Sequence, residues 1–294
     1  MKKILLTGCE GQLGRAVREG YGDEVSFILT DCRDDGEIRR LDITDMEAVL
    51  EMVHAERPDV IINCAAMTNV DGCETDFETA FRVNALGPRN LAIASMDVGA
   101  KIIHISTDYV FPGTDPEPLM ESARPDPISA YGRSKLWGED YVRQFSDRWF
   151  ILRTAWLYGD GKNFVRTMLK LSESHDVISV VDDQFGSPTS ADELARLIHR
   201  LEPTHYYGVY HATCEGSVNW AGFAEEIFRQ FDRTTEVRHV SSREYKKMNP
   251  ASADRPPFSI LDNAMLRMQG IEPMSDWKDA FTEWVAKVKA ENNR

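Results

Sequence analysis

Tyr131 and Lys135 stand four residues apart in the sequence YGRSK, a spacing that places both side chains on one face of a helix. A free tyrosine has a pKa of about 10, and a neighbouring ammonium lowers that pKa by stabilising the phenolate. Thr107 follows an apolar run and adds a hydroxyl that can hydrogen-bond a developing alkoxide. Together the three side chains predict reduction of a ketone by hydride transfer, with Tyr131 as the proton donor. For the spacing alone, a solvated helix face is the alternative.

Three glycines follow the first apolar run, in the sequence GCEGQLG, as Gly8, Gly11 and Gly14. Glycine lets the backbone turn tightly and approach a pyrophosphate, and the helix that begins there offers free N–H groups to the phosphates. Asp31 ends the second apolar run, about where a carboxylate that binds an adenosine ribose is expected. A plain strand-to-helix turn would explain an isolated glycine triplet, but the added acid favours a dinucleotide site.

Lys135 would also hold the nicotinamide ribose of the cofactor, beside Tyr131. The sequence leaves the cofactor open between NADH and NADPH. Asp31 favours NADH because a carboxylate repels the 2′-phosphate of NADPH, whereas Arg33 could pair with that phosphate and offset the repulsion. Asp42, followed by Ile43, comes after another short apolar step and could flank the adenine. An ordinary loop acid is the alternative for Asp42.

The elements that must position these residues alternate between short apolar runs and helical stretches. Buried strands are predicted at residues 3–7, 25–30, 60–65, 101–106 and 149–153, and helices at 12–20, 44–56, 75–86, 88–98 and 129–144. Apolar strands separated by helices imply a parallel sheet covered on both faces, which is the doubly wound α/β or Rossmann fold. Thr44 with Glu47, and Thr75 with Glu78, are predicted to form capping boxes at two helix starts.

Beyond residue 155 the predicted strands and helices no longer alternate regularly. Helices are predicted at residues 163–172, 191–201, 220–231 and 277–289, and short strands at 177–181 and 209–212. We therefore expect an NAD(P)-binding domain over residues 1–155. A smaller, mixed α/β lobe that mainly binds substrate should span 156–294, with some segments returning to the first domain.

Composition excludes several classes of protein. With 42% hydrophobic and 28% charged residues the chain is an ordinary globular protein, and its net charge of −14 argues against binding nucleic acid or an anionic membrane. No apolar stretch approaches the roughly 18 residues that a membrane span needs, and the apolar run near the start is too short for a signal peptide. The five cysteines form no C-x-x-C pair, so we expect reduced thiols, a cytoplasmic location and no metal site.

Several motifs together resemble the extended short-chain dehydrogenase/reductase superfamily and, more narrowly, the dTDP-4-dehydrorhamnose reductase family. The matching stretches cover nearly the full length: GCEGQLG, AAMTNVDGCE, STDYVFPG, YGRSKLWGE, RTAWLYG, DDQFGSPT and ADRPPFSILDN. The glycine turn and the Tyr/Lys pair are shared by all extended members, whereas STDYVFPG, DQFGSPT and the segment around Trp156 are more discriminating.

The resemblance implies roles for further residues. It places a group of side chains and backbone segments against the cofactor: Gly11, Gln12, Leu13, Asp31, Asp42, Ile43, Ala66, Met67, Thr68 and Ile105. It also implies that Thr107, Asp108 and Trp156 touch a sugar nucleotide, although Trp156 could equally be a core residue. Arg255 could neutralise a substrate phosphate or lie at the surface. Asn84 resembles a structural asparagine of the superfamily, and a simple packing role is the alternative.

The function that these features favour is reduction of the 4-keto group of a nucleoside-diphosphate sugar, most simply dTDP-4-dehydro-L-rhamnose, by NADH or NADPH. Two alternatives stay open at this stage. A nucleotide-sugar epimerase or dehydratase shares the glycine turn and the Tyr/Lys pair but consumes no cofactor, and a regulatory subunit that binds NADP need not catalyse anything. The sequence does not fix the sugar, the base or the oligomeric state, for which a homodimer is one option.

Overall fold

A computed structural model describes residues 1–22, 25–34 and 36–292, and a seven-stranded parallel sheet forms its centre. The strands of this sheet are β1 (Lys2–Thr7), β2 (Val25–Asp31), β3 (Arg39–Arg40), β4 (Val60–Asn63), β5 (Lys101–Thr107), β6 (Trp149–Thr154) and β11 (Gly208–His211). Their order across the sheet is β3-β2-β1-β4-β5-β6-β11, and every neighbouring pair is parallel. The chain therefore reverses its winding direction at β1, as in a doubly wound fold.

Helices cover both faces of the sheet. In the first half they are α1 (Gln12–Tyr21), α2 (Met46–Glu56), α3 (Val70–Thr75), α4 (Phe77–Phe81), α5 (Gly87–Val98) and α6 (Ala130–Phe145). A π-helical turn at Arg82–Leu86 joins α4 to α5. Successive side chains of a strand point to opposite faces. In β1, Leu5 packs in the apolar cluster beneath α2 and α5, whereas Ile4 and Leu6 pack in the cluster on the other face. This confirms the predicted fold class.

The second half adds smaller elements. The helices are α7 (Phe164–Ser172), α8 (Ala191–Leu201), α9 (Trp220–Gln230), α10 (Ser242–Met248), α11 (Ala264–Met268) and α12 (Trp277–Asn292). The short strands are β7 (Leu157–Tyr158), β8 (Val177–Val181), β9 (Phe185–Gly186), β10 (Thr189–Ser190), β12 (Val218–Asn219) and β13 (Glu236–Val240). They pair as β7 with β10, β9 with β12 and β8 with β13. The strand predicted at 209–212 joins the main sheet as its edge strand β11, whereas the domain boundary at residue 155 stays a prediction.

Both predicted capping boxes are wrong by one residue. Asp45, not Thr44, caps α2 by accepting hydrogen bonds from two backbone N–H groups (3.0 and 3.1 Å). Asp76, not Thr75, caps α4 through one backbone N–H group (3.1 Å), and Thr75 is the last residue of α3. Aspartate is at least as good an N-cap as threonine, so the adjacent acid displaces it in both places.

The described part of the chain, residues 1–22, 25–34 and 36–292, contains no helix that is both long enough and apolar enough to cross a membrane.

The turn between β1 and α1 needs glycine at two positions. Gly8 has a φ of 66°, in the left-handed region that side chains disfavour. A Cβ atom on Gly14 would lie 2.3 Å from the Gly8 carbonyl oxygen, a distance at which backbone would have to move. The turn is therefore held tightly against the start of α1.

Gly14→Ala should lower the free energy of unfolding by about 3 kcal/mol, because the added methyl group overpacks the turn. Gly20→Ala in the same helix is the control, since the nearest atom to its Cβ would be 3.9 Å away. That change should instead stabilise the chain by about 0.5–1 kcal/mol, the difference in helix propensity. Urea unfolding measures both, and equal effects would contradict this account of the turn.

Candidate active site

A cavity of about 730 Å³ lies at the carboxyl end of the sheet, where β1, β4, β5 and β6 meet. Ligands of doubly wound proteins bind at this edge, near the point where the winding direction changes. Most of the predicted site residues line the cavity: Gly11, Gln12, Leu13, Gly14, Ala66, Thr68, Ile105, Thr107, Asp108, Tyr131, Lys135, Trp156 and Arg255. The structure thus brings together residues that are up to about 240 positions apart in the sequence, from Gly11 to Arg255.

Five predicted cofactor residues lie outside the cavity lining: Gly8, Asp31, Asp42, Ile43 and Met67. Gly8 lies beneath the turn, and Asp31 accepts a hydrogen bond from the backbone N–H of residue 10 within that turn (3.1 Å). Asp42 is exposed and accepts a hydrogen bond from the backbone N–H of residue 44 (2.9 Å). Ile43 is buried in the core beside α2 and α5. The cofactor roles of these five residues stay predictions.

The start of α1 fits a dinucleotide pyrophosphate. Gly11 is its N-cap, no side chain caps the first N–H groups, and no acid lies in the first turn. Those N–H groups and the positive end of the helix dipole therefore face the cavity without a competing anion from the helix itself. Gln12 and Arg15 tie this helix to β7 and to the loop after it, because their side chains donate to the carbonyls of Leu157 (3.1 Å) and Asp160 (2.8 Å).

Tyr131 lies at the second position of α6, partly buried, with its ring edge-on to Tyr109 at 5.8 Å between centroids. Burial raises the pKa of Tyr131, and the nearby Asp108 charge adds to that rise, whereas interaction with the Thr107 hydroxyl lowers it. The sequence-based expectation that Lys135 makes Tyr131 more acidic is therefore not met by this structure, in which the net shift is upward. Tyr131 keeps its proton at neutral pH.

Lys135 is almost fully buried one turn further along α6. Its Nζ atom donates a hydrogen bond of 2.6 Å to the carbonyl oxygen of Ile105 in β5. Burial lowers the pKa of Lys135 to about 8, and the charge of Glu139 opposes that fall. This bond fixes α6 against the end of β5, so that Tyr131 and Thr107 line the same cavity.

Thr107 and Asp108 form a buried polar pair at the end of β5. The Thr107 hydroxyl donates to Asp108 Oδ1 (2.9 Å) and accepts from the backbone N–H of Tyr109 (3.2 Å). Among the residues that the structure describes, Asp108 Oδ2 has no hydrogen-bond partner. Burial raises the pKa of Asp108 to about 6. A carboxyl group that is lodged in the cavity wall and incompletely hydrogen-bonded can accept a ligand hydroxyl.

Asn84 connects the loop after β4 to α6 beside the cavity. It lies fully buried in the π-helical turn, accepts from the backbone N–H of Met67 (2.8 Å) and donates to the Met67 carbonyl (3.0 Å). Its amide also donates to the hydroxyl of Ser134 in α6 (3.0 Å). The residue therefore ties the loop after β4 to α6, and π-helical turns of this kind often occur at functional sites.

Trp156 borders the other end of the cavity. Its backbone has a φ of 47°, unusual for a bulky residue, and its indole stacks on Trp220 with 3.5 Å between ring centroids and 8° between planes. Gly186 also lies against its indole, because a Cβ there would come within 2.7 Å of the ring nitrogen. Trp220 covers one face of the Trp156 indole, so that face is closed to stacking by a ligand ring. Sequence reasoning gave no sign of this pair.

Arg255 contacts the cavity from a segment that α3 holds in place. Its guanidinium donates to Asp71 Oδ1 (3.0 Å) and to the Ala253 carbonyl (3.1 Å), and its side chain is about one quarter exposed, 24%. The same Asp71 oxygen accepts from the Ala253 backbone N–H (2.8 Å). Neither sequence alternative for Arg255 foresaw this ion pair, which leaves the guanidinium partly neutralised.

Sequence reasoning missed several polar and aromatic residues of the cavity lining, among them Arg15, Lys162, Gln184, Trp220 and Tyr245. Gln184 lies within DDQFGSPT, so the resemblance offered a signal for it. The others carry no local signal, because each belongs to a helix or loop whose place at the cavity is decided by packing alone.

Comparison with known proteins identifies a family model and relatives that match nearly the whole chain. Residues 1–290 match the family model described as the RmlD substrate binding domain. The dTDP-4-dehydrorhamnose reductase of Streptomyces griseus is 40% identical over 287 residues, which cover 95% of this chain and 91% of that protein.

Solved structures agree. The dTDP-4-dehydrorhamnose reductases of Clostridium acetobutylicum and Bacillus anthracis are 43% and 40% identical to this chain, with TM-scores of 0.92 and 0.91. Each match covers 98% of this chain and 99% of the other. The Bacillus anthracis structure is a complex with NADP.

Asp108→Asn should stabilise the chain at pH 7 by about 1–3 kcal/mol, because it removes a buried charge while an oxygen stays available to Thr107. The folded pKa of Asp108, about 6, lies above its ordinary value of 3.8, so the folded chain binds the proton more tightly than the unfolded chain. The gain should therefore be present above pH 6 and vanish as the pH falls towards 4.

Urea unfolding of both chains across this pH range measures the gain. Asp147→Asn, at an exposed position, is the control and should have no such effect. A stability difference for Asp108→Asn that stays constant with pH would contradict the prediction.

Proposed function

The chain belongs to the dTDP-4-dehydrorhamnose reductase family, and we propose that it reduces the 4-keto group of dTDP-4-dehydro-L-rhamnose to give dTDP-L-rhamnose. The observation that carries the proposal is the meeting of Tyr131, Thr107 and Lys135 at one wall of a cavity whose other wall is the glycine turn. A phenol, a hydroxyl and an ammonium at one point suit a carbonyl that becomes an alkoxide.

In the proposed reaction NAD(P)H, when bound along the glycine turn, supplies the hydride to C4. Tyr131 donates its phenolic proton to the C4 oxygen, so that hydride and proton together convert the ketone to an alcohol. The raised pKa of Tyr131 supports this direction, because the residue must carry its proton when substrate arrives. The Thr107 hydroxyl, which donates to Asp108 in the structure, would rotate to donate to the same oxygen.

Lys135 has an electrostatic role in this proposal. Its ammonium is held by the Ile105 carbonyl at the cavity that Tyr131 also lines. A buried positive charge stabilises both the alkoxide that forms and the phenolate that Tyr131 becomes after it gives up its proton. The charge thus acts at the stage of the reaction where negative charge appears.

The remaining predicted substrate residues would bind the sugar nucleotide. Arg255 can exchange part of its contact with Asp71 for a phosphate oxygen, since a charge-assisted bond to phosphate is at least as strong. Asp108 can accept a sugar hydroxyl through Oδ2, and Trp156 can pack against the sugar or the base with the part of its ring that Trp220 leaves free. The cytoplasmic location and a homodimer stay predictions from the sequence.

Purified protein mixed with dTDP-4-dehydro-L-rhamnose should oxidise NADH or NADPH, which is followed by the loss of absorbance of the reduced cofactor. Tyr131→Phe should lower kcat by about 10²–10⁴-fold, the usual contribution of a general acid, and leave the Kd of the cofactor unchanged. Tyr141→Phe is the matched control on the same helix, and should keep full activity.

Turnover of dTDP-, UDP- and GDP-linked 4-keto sugars in parallel would show which nucleotide sugar the cavity accepts. No oxidation of either cofactor, at any pH between about 6 and 8, would contradict the proposed function. Conversion of sugar without net cofactor consumption would indicate an epimerase or dehydratase instead.

Asp31 should discriminate against NADPH. The carboxylate is fixed at the end of β2 by the backbone N–H groups of residues 10 (3.1 Å) and 32 (2.8 Å) and would repel a 2′-phosphate. Asp31→Asn should raise kcat/KM for NADPH relative to NADH by about tenfold, or 1.4 kcal/mol. Arg33→Gln should shift that ratio in the opposite direction. Shifts of the same sign in the two variants would show that these side chains do not select the cofactor.

A further inference from the structure

A buried carboxylate with no predicted role lies directly behind Lys135. Glu139 is one helical turn further along α6 and has no exposed surface. Its Oε1 atom accepts from the Ser106 hydroxyl (2.6 Å) and from Arg153 Nε (2.9 Å). Its Oε2 atom accepts from Arg153 Nη2 (2.7 Å) and from Arg143 Nη2 (2.5 Å). Four donors from α6, β5 and β6 therefore converge on one carboxylate.

Glu139 is one anion among three cations, Lys135, Arg143 and Arg153. Lys135 and Arg153 are each 2% exposed, and the side chain of Arg143 is 30% exposed. In the described part of the chain, no acid forms an ion pair with Lys135 at contact distance. Glu139 is thus a fully buried carboxylate beside two buried cations. A buried cation without a nearby anion tends to lose its proton, because burial disfavours the charged form.

Glu139 and Lys135 face the same side of α6, since residues four apart on a helix are neighbours. Their attraction passes through protein rather than water and is therefore weakly screened. Burial would raise the pKa of Glu139, but hydrogen bonds and charge from Arg153 lower it, so Glu139 is ionised at neutral pH. Its negative charge is the largest influence that opposes the fall in the pKa of Lys135.

The contact with Ser106 links Glu139 to the residues that act on the carbonyl. Ser106 lies between Ile105, whose carbonyl holds the Lys135 ammonium, and Thr107, whose hydroxyl lines the cavity. The hydrogen bond from Ser106 to a fully buried carboxylate ties this segment of β5 to α6. Glu139 therefore contacts the residue that lies between the Ile105 carbonyl and Thr107.

We propose that Glu139 is a positioning residue of the reductase: its charge keeps Lys135 protonated, and its bond to Ser106 holds the end of β5 in place. This inference rests on the proposed function, and it adds a residue that acts through Lys135 and Thr107 without touching substrate.

Other titratable groups that face Lys135 do not replace this role. From α6, Tyr131 is neutral because its pKa is raised. After β4, burial raises the pKa of the Cys64 thiol to about 12, so it carries no charge near neutral pH. In β5, burial and the Lys135 charge hold the pKa of His104 well below its ordinary value, and it stays neutral. From β6, Arg153 is bound to Glu139 and carries no negative charge that could replace that of Glu139.

Glu139→Gln tests the role of the charge, because the amide keeps the size of the side chain and an oxygen for Ser106 and Arg153. The alkaline limb of the kcat/KM profile should move about one pH unit lower, which means about tenfold less activity beyond the limb. Well below the limb the loss should stay under about threefold. The sign follows from Lys135: without the carboxylate its pKa falls further, and the protonated form is lost at lower pH.

Arg143→Gln is the matched variant, for which the alkaline limb should shift in the opposite direction. It removes a cation that is 30% exposed from beside Glu139, so the fold should tolerate it, and the alkaline limb should move upward by a few tenths of a unit. A limb that is unmoved in folded Glu139→Gln, or that moves downward in Arg143→Gln, would overturn the proposal. If Glu139→Gln does not fold, Arg143→Gln decides, and an unmoved limb then counts against the proposal as well.

A readout without turnover separates this inference from the proposed function. A double-mutant cycle of Lys135→Met and Glu139→Gln, followed by urea unfolding, should show stabilising coupling near pH 6.5 that declines near pH 9.5 as Lys135 loses its proton. Arg143→Gln paired with Lys135→Met replaces it if Glu139→Gln does not fold, and its coupling should have the opposite sign. An absence of coupling near pH 6.5 would contradict the proposed role of Glu139. Coupling in a protein that turns over no 4-keto sugar would instead count against the proposed function and leave the role of Glu139 standing.

Discussion

The hydrogen bond from Lys135 to the Ile105 carbonyl is the contact on which the candidate site depends. It joins the helix that carries Tyr131 to the strand that ends in Thr107, at the edge of the sheet where the glycine turn also opens. An ammonium can be buried there because a carbonyl at hydrogen-bond distance and a carboxylate one helical turn away compensate for part of its lost hydration. Together with the hydrogen bonds from Ser106 to Glu139 and from Asn84 to Ser134, that bond holds the phenol and the hydroxyl in a fixed relation to each other.

The sequence predicted the sheet and its helices because strands buried on both faces read as continuous apolar runs. Strands β1, β2, β4, β5 and β6 all appear as such runs, and the parallel pairing follows from the helices between them. The glycine turn, Tyr131 and Lys135 were predicted because their chemistry is local: it lies in residue type and short spacing. Those features depend on a few neighbouring residues and not on the rest of the chain.

What the sequence could not show depends on contacts between distant segments. The helix caps at Asp45 and Asp76 differ from the prediction because two good capping residues stood side by side. The stacking of Trp156 on Trp220, and the pair of Arg255 with Asp71, join segments 64 and 184 residues apart, and no periodicity encodes them. The direction of the Tyr131 pKa shift was also missed, because burial, which only the fold determines, is the largest influence on it.

The local distribution of charge explains how a protein with a net negative charge can bind an anionic ligand. The net charge of −14 would repel a nucleoside diphosphate, but a Debye length of about 8 Å at physiological salt screens most of that charge at the cavity. The charged side chains that line the cavity are Arg15, Lys135, Lys162 and Arg255 against Glu10, Asp108 and Asp160. Local potential therefore outweighs bulk charge, and protonation of Asp108 as the pH falls would tip it further towards positive. Composition alone excludes extended polyanions, whereas a small anion senses the few charges that the fold gathers around it.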